Sequence, residues 1–308
     1  MPGIDDALES KALPLQTLLA QAEAAASQSW ERLLFFSGGA LEFSKCFAYV
    51  LYWDLEGGTH RLIAPSEIPG CIEAPDGSLS GPLSLTYGDE STQRHLLATE
   101  SPWQGRKMLG VRIAPAGTWT DEFLYRRQQS RDLAMLLAGS TIDADTARVG
   151  YHMMVCPMIE YPLTVTQFSQ KDCDMIVSPV LRACLSKMGY NQNMPKEVVF
   201  GPVELGGLGM HDLFIEQGIR QILALVGHLS QNSVTSKMML IELQWCQVQA
   251  GTSDHLLESP STEIDYIETC WIMAIPDFLR TYSLRLQFSS SSLPRMQCDD
   301  DEFIMDAL

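Results

Sequence analysis

The chain has 308 residues, 46% of them hydrophobic and 8% aromatic, enough for one large domain or two ordinary ones with a core that needs no staples. Wholesale disorder is excluded by that composition. A formal charge of −17 opposes strong nucleic-acid binding, which depends on Lys and Arg displacing counterions from phosphates.

The N-terminus MPGIDDALES has neither a basic segment nor an apolar run, so no signal peptide is expected. Leu15, Leu18, Leu19, Ala22, Ala26, Trp30, Leu33 and Leu34 recur at three- and four-residue steps, predicting a helix from Pro14 to Phe36 that Ser37-Gly38-Gly39 ends. Cys46 to Trp53 is dense in aromatic and β-branched residues, and Glu56-Gly57-Gly58-Thr59 before His60 to Ala64 completes a β-hairpin. Pro65 to Gly105 is rich in Pro, Gly and Ser, with two short strands expected at Leu83 to Tyr87 and Gln93 to Ala98. Lys107 to Ala114 reads as a further strand.

After Thr118 the pattern turns helical. Helices are predicted at Thr120 to Ala138, Asp143 to Cys156, Ser169 to Met188, Met210 to Leu229, Thr235 to Ala250 and Thr262 to Gln287. In the third, Cys173, Ile176, Val177, Val180, Leu181, Cys184, Leu185 and Met188 form an apolar stripe that Pro179 kinks without breaking. Gly189 to Asp212 reads as a long connection, and Ser289 to Leu308 as a loosely held acidic tail. The expected fold is α+β and predominantly helical, with regions 1–117, 118–288 and 289–308.

Eight cysteines are scattered without a Cys-x-x-Cys pair or a Cys/His grouping at zinc-ligand spacing, and they read as reduced thiols. Together with the lack of a run of ~18 apolar residues, this predicts a cytoplasmic or nuclear protein without membrane contact. No Gly-x-Ser-x-Gly elbow, phosphate-binding glycine loop or His-Glu-x-x-His pattern occurs. Asp299-Asp300-Asp301-Glu302 lacks the alternating ligands of a calcium loop. The charge is uneven: Glu258 to Leu308 holds ten acidic and three basic residues, whereas Pro102 to Leu133 holds six basic and three acidic. Arg106, Lys107, Arg126, Arg127 and Arg131 in that stretch are therefore the candidate phosphate contacts. Pairing of the helical arginines with Asp121, Glu122 and Asp132 is the alternative.

Trp30 to Trp53, WERLLFFSGGALEFSKCFAYVLYW, resembles the fourth palm motif of reverse transcriptases of the non-LTR retroelement type: a helix, a glycine turn and a strand opening on Lys-Cys. Met108-Leu109-Gly110-Val111 looks like the Leu-Gly hairpin that follows it. Tyr161-Pro162-Leu163, Gly189-Tyr190-Asn191, Met194-Pro195, Gly201-Pro202, Gly206 to Gly209 and Gln217-Gly218 echo the thumb-like regions of such proteins. The resemblance implies RNA-directed DNA polymerase ancestry and makes Lys45 a proton donor to departing pyrophosphate. A solubilising charge on an edge strand is the plainer reading of Lys45. Asp5 and Asp6 stand at a spacing from Gly38 compatible with the paired catalytic carboxylates, though Gly3 replaces the expected aromatic. A charged helix N-terminus is the favoured reading of the two.

The remaining palm carboxylate would precede Met1. The expectation is thus a truncated, catalytically inactive reverse-transcriptase-like protein with at most weak nucleic-acid binding and no cofactor, Mg²⁺ entering only with a complete palm. The alternatives are a helical scaffold or interaction domain whose acidic surface takes a basic protein partner, and part of an active polymerase completed by upstream sequence.

Overall fold

The chain divides into two units, Met1–Thr118 and Trp119–Leu308. The computed structural model describes residues 25–30, 32–34, 37, 46–49, 51, 53–54, 61–67, 72–73, 79–86, 94–259, 266–267, 270–287 and 301–307. Asp5, Asp6, Gly38, Gly39 and Lys45 lie outside them. The architecture is α+β and predominantly helical.

In the first unit, residues 25–30 and 32–34 are helical, and the Ser37 amide donates to the Leu33 and Leu34 carbonyls at 3.1 Å each, closing the last turn. The strand expected over Cys46 to Trp53 is two short pieces with different partners. Strand β1 (Phe47–Ala48) pairs parallel with β6 (Arg94–Thr99). Strand β2 (Trp53–Asp54) pairs antiparallel with β3 (Arg61–Leu62), which keeps the predicted hairpin. Leu51, between the pieces, is exposed. Strands β4 (Ile72–Glu73) and β5 (Leu79–Thr86) complete a sheet of order β1-β6-β5-β4. The strand predicted over Lys107 to Ala114 is a hairpin of β7 (Arg106–Met108) and β8 (Val111–Ile113). Leu109 (φ 49°) and Gly110 (φ 93°) form its two-residue turn, both on the left-handed side as a primed turn requires.

The second unit opens with α1 (Thr120–Gly139) and α2 (Ala144–Gly150), which continues through a π-helical turn (Tyr151–Val155) into α3 (Cys156–Glu160). Asp143 caps α2 by accepting from the Thr146 amide at 2.7 Å. Helix α4 (Gln170–Lys187) starts on a capping box: the Ser169 hydroxyl accepts from the Asp172 amide, and the Asp172 carboxylate accepts from the Ser169 amide, both at 3.2 Å. Cys173, Ile176, Val177, Val180, Cys184 and Leu185 are its buried face. Pro179 lies inside the helix without ending it, and the next amide, that of Val180, donates to the buried Ser130 hydroxyl of α1 at 3.4 Å. A neighbouring helix thereby helps satisfy backbone that proline disturbs.

Helices α6 (Leu213–Leu229) and α7 (Val234–Ala250) are capped by Asp212 and Ser233. Leu225, Leu243, Cys246, Leu257, Ile272, Ile275 and Leu279 form a core with them that is separate from the one under α4. Gln217 joins the two regions. Its amide brackets Phe168, accepting from the Phe168 amide at 3.1 Å and donating to the Phe168 carbonyl at 2.9 Å. Adjacent Gly218 lies directly against the Phe278 ring, which leaves no room for a Cβ. Gly201 and Gly207 touch backbone to backbone, so the glycine cluster is a tight connection.

Three expectations are corrected. The helix predicted over Thr262 to Gln287 is only α8 (Ala274–Thr281) among the described residues, and the chain leaves helical geometry at Ser283 (φ 54°). The Gly189 to Asp212 connection contains a short helix, α5 (Lys196–Phe200). The acidic tail ends in α9 (Ile304–Ala307), where the Met305 amide donates to the Gly251 carbonyl at 2.7 Å and Asp306 accepts from the Ser253 amide at 2.8 Å. These bonds tie down its C-terminal end.

His255 Nδ1 accepts from the Leu257 amide at 3.2 Å, which requires that nitrogen to be unprotonated. Burial lowers the His255 pKa, opposed by the Glu258 charge. The folded state therefore resists a proton that the unfolded chain takes up near the ordinary histidine value of about 6.5. Stability from this group is present above that pH and is lost as pH falls through the lower folded pKa. Thermal melts at falling pH should show a decline that His255→Asn, which keeps an acceptor but does not titrate, makes shallower.

Candidate functional site

Tyr151–Val155 adopt the π-helix, a form concentrated at functional positions. His152, Cys156 and Glu160 follow at four-residue steps along the continuous helical run, a spacing that groups side chains on one face. His211, just before the Asp212 cap of α6, and Glu216 and Arg220, one turn apart on α6, meet that face.

Glu160 is buried and sits at the centre. Its Oε1 lies 2.6 Å from His211 Nδ1, which donates to it, and its Oε2 accepts from Arg220 Nη2 at 2.6 Å. Glu216 Oε2 lies 3.6 Å from Arg220 Nε, and Glu216 Oε1 lies 4.0 Å from His211 Nδ1. Glu160 and the hydroxyl of buried Tyr151 both act on the Cys156 thiol, Glu160 raising its pKa and Tyr151 lowering it. The His152 ring stands edge-on to the His211 ring, with centroids 5.3 Å apart.

Burial, reinforced by the Glu160 charge, pushes the Cys156 thiol up to about 12. It is a protonated thiol at neutral pH, not a nucleophilic thiolate. Burial lowers the His152 pKa, and His211 and Arg148 push it the same way. Cys156, Glu160 and His211 present one sulfur, one oxygen and one nitrogen ligand atom, all within 4.8 Å of one another. These are the ligand types of a zinc site.

The candidate phosphate contacts do not all face solvent. Arg126 is buried: Nε donates to Glu122 Oε1 at 2.6 Å and Nη1 to the Met158 carbonyl at 2.8 Å, so it braces α1 against α3. Arg127 is half-buried over the Phe123 ring at 6.0 Å, and Arg131 is exposed. Arg106 pairs with Glu100 and lies 5.6 Å from the centre of the Phe47 ring, while Lys107 is exposed on β7.

Comparison with protein-family models, curated proteins and solved structures finds no match to this chain. The polar cluster escapes a sequence reading that looks for cysteine pairs and histidine pairs. The mixed pattern His152-x-x-x-Cys156-x-x-x-Glu160 carries the signal, whereas His211, 51 residues from Glu160, has no local one.

Removing one partner of a buried ion pair leaves the other charge uncompensated, at a cost of about 3–5 kcal/mol. Arg126→Ala should therefore lower stability in urea denaturation by an amount in that range. Arg131→Ala should stay within about 0.5 kcal/mol, as an exposed substitution does.

Proposed function

We propose that the chain is a reverse-transcriptase-like protein of the non-LTR retroelement type, contributing palm-end and thumb-like structure and a weak duplex contact. The observation that carries this reading is the hairpin of β7 and β8, which turns on Leu109-Gly110. The resemblance requires a hairpin at that place in the chain, followed by a helical unit, and α1 begins at Thr120. With Arg126 committed to Glu122 and Arg106 to Glu100, the candidate cations left for phosphate are Arg127, Arg131 and Lys107. Against a charge of −17, so few contacts make binding weak and steeply salt-dependent.

Binding to a primer–template duplex should thus be measurable only at low salt. Each phosphate contact adds close to one unit to the slope of log affinity against log salt. Replacing Arg127 and Arg131 together with Ala should lower the slope by about two units. Duplex binding that this double substitution leaves unchanged would sink the reading.

A second reading, a helical interaction domain, has its own observation. Val234, Met238, Ile241, Trp245 and Val248 are exposed along α7 at alternating four- and three-residue steps, the spacing of a coiled-coil seam. Ile219, Leu223 and Val226 of α6 are exposed at the same spacing. Lys237 and Glu242 flank the α7 seam five residues apart, where two parallel copies would pair them. The occupant this favours is a second copy of the chain. Two bodies of like charge repel, and salt screens that repulsion. Self-association should therefore tighten with salt, opposite to duplex binding. Sedimentation of the full chain should show a dimer that Trp245→Glu abolishes, and a monomer at every salt concentration rejects this reading.

A further inference from the structure

Among its described residues the helical unit buries two charged clusters. Arg126 is enclosed by Glu122, Gln129 and the Met158 carbonyl, which leaves it a brace. The group around Glu160 differs because it collects three kinds of metal-ligating atom from two separate parts of the chain. We propose that Cys156 Sγ, Glu160 Oε1 and His211 Nδ1 bind a zinc ion, with a fourth coordination position open to water.

The geometry is near what zinc requires. Bonds of about 2.0–2.3 Å place the ligand atoms of a tetrahedral site roughly 3.3–3.7 Å apart. The three atoms lie within 4.8 Å of one another, the closest pair at 2.6 Å. Opening the His211–Glu160 pair and drawing in the sulfur needs side-chain movements of about 1 Å. A sulfur, nitrogen and oxygen set suits this borderline ion better than a hard cation such as Mg²⁺ or Ca²⁺.

The surroundings hold the ligands in place. Arg220 keeps Glu160 Oε2, which leaves Oε1 to His211 Nδ1. Partners of this kind orient the carboxylates that ligate metals. Edge-on contact with His152 orients the His211 ring. On binding, the Cys156 thiol releases its proton to solvent as the Zn–S bond forms, since a coordinating thiol is deprotonated outright. His211 Nδ1, which donates to Glu160 before the ion binds, gives that proton up to solvent while Nε2 takes one from it, and the freed Nδ1 lone pair goes to the ion. Thiolate and carboxylate then balance the two positive charges, and Arg220 retains Glu216 nearby. The His211 side chain is 39% exposed and gives the ion an entry path.

The test uses the full chain, stripped with a chelator under reducing conditions and then titrated with Zn²⁺ or Co²⁺. One Zn²⁺ should bind per chain, and Co²⁺ should give thiolate-to-cobalt charge-transfer absorption. Cys156→Ser and His211→Gln should each remove that absorption and weaken Zn²⁺ by more than the ~10–100-fold typical of losing an outer partner. Cys173→Ser, altering a buried thiol outside the cluster, should change neither. His211 is partly exposed, so its variant keeps the test decisive if Cys156→Ser fails to fold. Co²⁺ binding without the charge-transfer band, Zn²⁺ binding unchanged in His211→Gln, or no binding of either ion overturns the proposal.

Discussion

A carboxylate taken out of water must be met by donors, and meeting Glu160 organises the helical unit. The effective penalty of burying an ion is several kcal/mol, and only good hydrogen-bond geometry offsets it. The donors come from residues 51 and 60 positions further along the chain. The end of α3 is therefore held against the start of α6 by a requirement that neither segment meets alone. Gln217, one turn along the same helix, does for backbone what Arg220 does for charge: it satisfies both polar groups of Phe168. Two kinds of polar satisfaction, on one helix, set the register of α6 against everything before it.

Legibility in the sequence depends on how local each feature is. The stripe of α4, its Ser169 cap and the boundaries of α6 and α7 are legible because periodicity and caps are written within a few residues. The pairing of Arg126 with Glu122 is legible as an i,i+4 pair, but its burial is not. Its spacing from Arg127 and Arg131 suggests a basic ridge, yet five residues at about 100° each place Arg131 about 140° around the helix from Arg126. Arg126 lies inside and Arg131 outside. The cluster at Glu160 is half-legible: three residues lie on one helical face, and the fourth arrives through the tertiary fold. Thr262 to Gln287 misleads for another reason, since apolar residues that line a core from turns can mimic helical spacing for a stretch.

The segments that suggest family resemblance have physical reasons of their own. Gly218 makes room for an aromatic ring, and Gly201 with Gly207 lets two stretches of backbone meet. The Leu109-Gly110 turn closes a hairpin with both residues on the left-handed side. Such steric needs would hold for any protein with these crossings, and they leave function to the surfaces. On those surfaces the apolar seam of α7 contrasts with the sparse cations of α1, so the two functional readings draw on different sides of the same unit's chemistry.

The π-helical turn takes up one residue more than an α-helical turn, since its hydrogen bonds span five residues in place of four. Excising a single residue from Tyr151–Val155 would let the run from α2 to α3 become an ordinary helix, locally more regular than before. Cys156 and Glu160 would keep nearly their present phase towards His211, because the wide turn already absorbs the extra residue. At this point of the chain an in-frame deletion of one codon would be better tolerated than elsewhere in the same run, where it would turn every later residue by about 100°.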